Sequence, residues 1–274
     1  MHETTTNKKN KALDIPLPRE HGAWVMLYAP VIIAAFRIGS VSFTPFLLLL
    51  CVITGAFLSR HAAELVLRGK GDDKTKIWLF FYLLITFLSG GSLMLRDDFR
   101  GLWMIFCAAM ILFALHAWLS VIPSRKRLDR TVWGELLGIA ALCLTGPATW
   151  IVCTTHAPFE SWLEWGACLL FFGSGIFHVK MLLESGKLAK QNTPEMYQRV
   201  VGPSRLYHLL VIPLALLPVC FVGARGLWIA ISFLPVTYRA WKGILHPSYR
   251  IPPLRKVGYM ETLYSVWFIC CIII

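Results

Sequence analysis

Leu102–Ile122 reads LWMIFCAAMILFALHAWLSVI, a run without Lys, Arg, Asp or Glu. At 1.5 Å rise per residue, a helix of this length is about 30 Å long, the thickness of a bilayer's hydrocarbon core. Inside that core, backbone N–H and C=O groups have no water to turn to, so they must pair within the segment. The stretch is therefore expected to be a transmembrane helix. Its polar exception is His116, alone and deep in the span. Such a histidine is read either as a hydrogen-bonded core residue or as a ligand.

Eight further apolar stretches follow the same logic: 22–37, 43–58, 77–95, 133–154, 163–183, 207–223, 226–245 and 258–274. The first two are short and need tilt or interfacial flanks to cross. The stretch 226–245 is the weakest because it contains Pro235, Arg239 and Lys242. No ten-residue alternation suggests a β-barrel. The composition agrees: 57% of residues are hydrophobic and 15% charged, with mean hydropathy +0.61, and a soluble domain of this length needs more polar surface. The expected fold class is all-α, an integral membrane helical bundle of about nine transmembrane helices. Residues 1–14 read as a disordered cytoplasmic tail and 15–274 as one polytopic domain.

The basic residues give that count an orientation. With the N-terminus on side one and nine crossings, side two holds Arg37, Arg96, Arg100 and Arg225, and side one holds the other 23 of the 27 Lys and Arg. Cytoplasmic loops carry such an excess. The expectation is a multi-pass protein of the cell inner membrane, N-terminus in the cytoplasm and C-terminus outside. The net charge of +12 then reflects topology and contact with anionic membrane lipids, and no soluble basic module is present to bind nucleic acid. The eight cysteines all lie in apolar stretches. They form no CxxC and no Cys/His spacing suited to zinc, so no metal site is expected.

Polar clusters stand at the side-one ends of the spans. Arg19-Glu20-His21 precedes the first. Arg60, His61, Glu64 and Arg68 follow the second, and residues 60, 64 and 68 share a face if that helix continues. His178, Lys180 and Glu184 close the sixth, where Lys180 and Glu184 can pair across one turn. Glu135 opens the fifth, where a helix N-terminus favours an acid, and His208 opens the seventh. Each cluster has a plain reading as an interfacial anchor, cap or ion-pair ladder. Taken together, they would form a basic cytoplasmic cavity suited to an anionic head group if the span ends converge. In that case Arg19, His21, Arg60, Glu64, Lys180 and Glu184 are the candidate ligand-binding residues. His61 and His178 are the candidate proton-transfer groups.

The hexamer Arg19-Glu20-His21-Gly22-Ala23-Trp24 resembles the opening signature of the YwiC-like family of polytopic membrane proteins. A more distant likeness is to UbiA-type intramembrane prenyltransferases. Arg19 with Pro30 is similar to the pattern of that family's first helix, and Arg130–Pro147, with Gly134-Glu135-Leu136, to the entrance of its fifth. The resemblance implies nine helices with active-site loops after the second and sixth. It also implies Asp-rich motifs holding Mg²⁺ on a diphosphate, and here the chain departs. The first loop offers Asp72 and Asp73, while no Asp lies between His178 and Arg205. No cofactor is therefore expected. The leading expectation is binding, with transfer as an extension, of an amphipathic lipid-like anion. The alternatives are a small-anion transporter or permease and a non-catalytic membrane assembly partner.

Overall fold

The computed structural model describes residues 21–67, 69–121, 131–188, 194–245 and 253–274. Among them the regular structure is helical: α1 (His21–Ile38), α2 (Phe43–Leu67), α3 (Asp73–Met94), α4 (Gly101–Val121), α5 (Val132–Cys143), α6 (Thr145–Thr154), α7 (Phe159–Leu188), α8 (Pro194–Val222), α9 (Ala224–Ser232), α10 (Leu234–Leu245) and α11 (Leu254–Ile273). The tail 1–14 lies outside the described residues.

All nine apolar stretches are helical, but they do not all make one continuous crossing. Six segments are long and apolar enough to cross a membrane: Phe43–Leu67, Asp73–Met94, Val132–Thr154, Phe159–Gly186, Gln198–Val222 and Arg255–Ile273. Gly22–Ile38 and Gly101–His116 are shorter apolar helices. This is the build of a multi-pass membrane protein. The expected continuous span 226–245 is instead the short pair α9 and α10. Pro235 is the cause. It has no N–H to continue the ladder, and Phe233 N instead donates to Ala230 O at 3.1 Å in a tightened turn.

The fifth stretch breaks in the same way between α5 and α6. Pro147 removes a donor, and Leu144 N donates to Ala141 O at 3.3 Å. The Thr145 hydroxyl stands 2.9 Å from Leu142 O and 2.9 Å from Leu27 O, and so links the break to α1. Beyond the apolar stretches 43–58 and 163–183 the helices continue. α2 runs to Leu67 and α7 to Leu188, so Arg60 and Glu64 do share a helical face. The turn into α3 uses Gly69 at φ +67, a left-handed conformation open to glycine. Asp72 caps α3 by accepting from Thr75 N at 2.8 Å and Thr75 Oγ1 at 2.6 Å. Those hydrogen bonds, the hydroxyl's first, hold the Asp72 carboxyl below its ordinary value of 3.8.

The chain divides into two compact units. Residues Leu47–Leu95 form a helical hairpin. In it Gly55 lets α2 approach α3 closely: a Cβ there would stand 2.5 Å from Thr86 Oγ1. Its α3 leaves Phe80 and Phe87 exposed, which suits contact with lipid. The larger unit holds Glu20–Phe46 with Arg96–Ile274. Its core gathers Ile33, Cys143, Cys168, Phe171, Phe233 and Phe268 around α7. Phe171 stacks on Phe268 with ring centroids 4.1 Å apart.

Candidate functional site: a cationic cavity beside α7

Among the buried polar side chains of α7 are Glu164 near its start and His178 fourteen residues on, about 21 Å farther along the helix. Between them lie Ala167, Cys168, Phe171 and Phe172, all buried in the apolar core. The two polar regions are therefore separate, and they differ in how well they are satisfied.

Glu164 is matched. Its Oε1 stands 3.2 Å from Arg37 Nε, an ion pair without an aligned hydrogen bond. Its Oε2 accepts from Trp150 Nε1 at 3.0 Å. Arg225 and Glu160 line the same spot, so two cations face two acids. The cavity there is only about 10 Å³, room for little more than one water molecule.

The His178 region is not matched. α10 brings Arg239 and Lys242 to it, and α11 brings Lys256, Glu261 and Tyr264. Together with Leu182, Val257 and Met260 they line an open cavity of about 420 Å³. Arg239 is largely buried, its side chain 12% exposed, and its Nη1 donates to Glu261 Oε1. Among the described residues its Nε and Nη2, both closed to solvent, have no hydrogen-bond partner, and neither does the equally shielded His178 Nδ1. The guanidinium also lies over the Tyr264 ring, 5.1 Å from the centroid, a cation–π contact that leaves the in-plane N–H groups free.

Small residues make this packing possible. A Cβ at Gly175 would stand 3.1 Å from Glu261 Oε2, and one at Gly243 would stand 3.4 Å from His178 Cε1. The Gly173-Ser174-Gly175 patch thus admits polar side chains as well as close helix contact. Ser174 Oγ lies 2.8 Å from His208 Nε2, and His208 Nδ1 lies 2.7 Å from Ser204 O. A carbonyl can only accept, so Nδ1 carries the hydrogen and Nε2 of the neutral ring accepts from Ser174. His208 is fully buried and fully served.

The residues expected from sequence are distributed as follows. Arg60, His61 and Glu64 are half-buried on α2 in the hairpin unit. His178, Lys180 and Glu184 belong to α7 in the larger unit. Lys180 Nζ lies 3.2 Å from Glu135 Oε1 on α5, an interhelical ion pair, and Glu184 is exposed. Arg19 and Arg68 lie outside the described residues, as does the side chain of His21. His116 packs beside Gly138 of α5. Among the described residues of the expected set, His178 alone lines the 420 Å³ cavity.

Sequence reasoning set aside Arg239, Lys242, Lys256 and Glu261, counting the cations only as topology signals. A usable sign was present: an Arg inside the eighth apolar stretch and a Glu inside the ninth. Ionisable residues within a span usually face one another or a cavity.

The comparisons can be set against this geometry. Residues 17–150 match the family described as YwiC-like protein. The chain is also similar to Uncharacterized protein YwiC of Bacillus subtilis (strain 168). The two are 25% identical over 259 residues, covering 92% of this chain and 95% of the relative. No solved structure matches the chain. The name of the relative carries no activity, so the chemistry has to come from the side chains. His178 and the α10–α11 cations lie beyond residue 150, outside the part that matches the family.

Proposed function

We propose that this chain is a YwiC-like protein of the cell inner membrane that binds an amphipathic, lipid-like anion. The head group sits in the cavity lined by His178, Arg239, Lys242 and Lys256. One observation carries the reading: a largely buried arginine and two exposed lysines line a cavity large enough for a ligand, with one acid, Glu261, among its described lining residues. Arginine and lysine are the side chains that hold an anionic head group. Leu182, Val257 and Met260 supply the apolar wall a tail needs. The 23-to-4 division of basic residues supports an N-in, C-out arrangement with this cavity on the cytoplasmic side. The reading rests on the cavity and not on a prenyltransferase-like scaffold. The test is native mass spectrometry of protein extracted from its own membranes. Wild type is expected to carry a lipid-sized anion that is lost in Arg239→Ala. An unliganded wild type, or retention in the variant, sinks the reading.

A second reading, a small-anion permease, has one observation in its favour: two segments interrupted at Pro147 and Pro235. The apolar core between Glu164 and Ser174 offers no polar path along α7, which ranks transport behind binding. Anion flux into proteoliposomes that stops in Pro235→Ala would reverse that order.

A further inference from the structure

Resting on that reading, we infer that the cavity is a lateral groove whose occupant is a bilayer phospholipid, entering sideways between α10 and α11. Three features lead there. The first is which faces border the gap. On α10, Leu234, Tyr238, Lys242 and Leu245 form one exposed stripe at helical spacing, and of these Tyr238, 71% exposed, and Lys242 also line the cavity. On α11, Lys256 lines the cavity and is exposed, beside the exposed Tyr259, Leu263 and Trp267. The cavity walls therefore pass directly onto the outer surface of both helices.

The second is what that outer surface meets. α11 lies in a segment long and apolar enough to cross a membrane, and the exposed side chains flanking the gap are mostly apolar or aromatic. Such a face lies against hydrocarbon. A gap that opens on it is filled from the bilayer and not from water.

The third is where the helices are tied. Arg239 of α10 donates to Glu261 and lies over the ring of Tyr264, both of α11. The Arg239 side chain is 12% exposed while its neighbour Tyr238 faces outward, so the bridge stands at the back of the gap and the front is open. The lysines set the direction of the occupant. Lys242 is three residues from the end of α10 and Lys256 two from the start of α11, so both stand at one end of the bundle. Met260 and Tyr264 lie four and eight residues farther along α11, about 6 and 12 Å deeper. A phospholipid in this groove puts its phosphate at the lysines, level with the head groups of its leaflet, and a chain along Tyr238 and Met260.

The experiment uses the purified full chain in phosphatidylcholine nanodiscs that contain a fixed trace of phosphatidylglycerol with a photoactivatable acyl chain. After illumination, labelled peptides are read by mass spectrometry. Helix α3, with Phe80 and Phe87 exposed to bulk lipid, is the internal reference. Label is expected beside Tyr238 and Met260, enriched over α3. Exchanging most of the phosphatidylcholine for unlabelled phosphatidylglycerol should cut it at least about fivefold, as mass action at one saturable site requires, while label on α3 holds constant. Glycerophosphoglycerol, the head group without chains, should leave it in place. The Lys242→Ala/Lys256→Ala variant changes only exposed side chains and should lose the enrichment. Label on α10 and α11 no greater than on α3 overturns the lateral groove, and the native mass spectrum then judges the anion reading separately. Enrichment that neither phosphatidylglycerol nor the lysine variant alters upholds the groove and overturns the anion reading. Displacement by glycerophosphoglycerol at equal concentration upholds the anion site and overturns entry from the bilayer.

Discussion

Two buried arginines in the larger unit have opposite surroundings. Arg37 meets Glu164, which also takes a hydrogen bond from Trp150, and the neighbouring Arg225 and Glu160 keep the charges even around about 10 Å³ of space. Arg239 meets Glu261, but among the described residues two of its buried donors have no partner, and with His178 and two lysines it lines about 420 Å³. Burial of charge alone therefore does not identify a site. A matched pair in a tight space ties helices together. An incompletely matched one beside open volume has capacity left for a ligand.

The comparison can be broken by experiment. The largest effect is expected for Arg37→Ala, which leaves Glu164 buried without its cation. Loss of one partner of such a pair costs about 3–5 kcal/mol. Thermal unfolding in nanodiscs should show a large drop in Tm for the variant. The surviving folded fraction should bind anions as wild type does, and a change in affinity would merge the two regions into one system.

Arg239→Ala should do the converse to function. Losing this cation weakens anion binding by roughly 1.5–3 kcal/mol. Glu261→Gln removes the competing negative charge and should tighten binding, whereas Glu164→Gln should leave affinity unchanged. Equal shifts from both glutamine variants, read by titration with one anion, would end the distinction.

Ser174→Ala tests whether the satisfied His208 belongs to the scaffold. Leaving Nε2 buried without a donor costs about 1–3 kcal/mol in stability, with anion affinity unchanged. A selective loss of affinity would move Ser174 and His208 into the site.

Lys180→Ala is expected to be milder, because its pair with Glu135 is 22% and 36% exposed and such pairs contribute about 0.2–1 kcal/mol. Its anion affinity should fall less than that of Arg239→Ala, and the reverse order would restore Lys180 as the principal head-group cation. The smallest effect is local. In Asp72→Ala the first turn of α3 should exchange its amide hydrogens faster, with little change elsewhere. The wild-type cap should be lost only on acidification below the carboxyl's ordinary value of 3.8, since its hydrogen bonds hold the ionised form to lower pH. Exchange that is indifferent to both changes would show that the cap is not what starts the helix.

Much of this architecture was legible in the residues. Apolar runs such as Leu102–Ile122 are long enough to cross a bilayer, and a backbone that must satisfy itself in lipid becomes helix. His178 already stood out among the polar span ends. The breaks at Leu144 and Phe233 were harder to place. A proline inside an apolar run can bend a helix or end it, and the packing around it decides which. Arg239 was misread for a related reason. In a count of charges by loop, one more cation on the basic side looks like topology.

Sequence alone determined helical class, membrane residence and the uneven distribution of positive charge, because each depends on length and composition along the chain. Only the tertiary structure decided which charges meet. Glu135 and Lys180 are 45 positions apart, Arg37 and Glu164 are 127 apart, and Arg239 of α10 meets Glu261 of α11. Whether a buried donor is satisfied depends on atoms a few ångströms away in space, and those are brought together only when the helices pack.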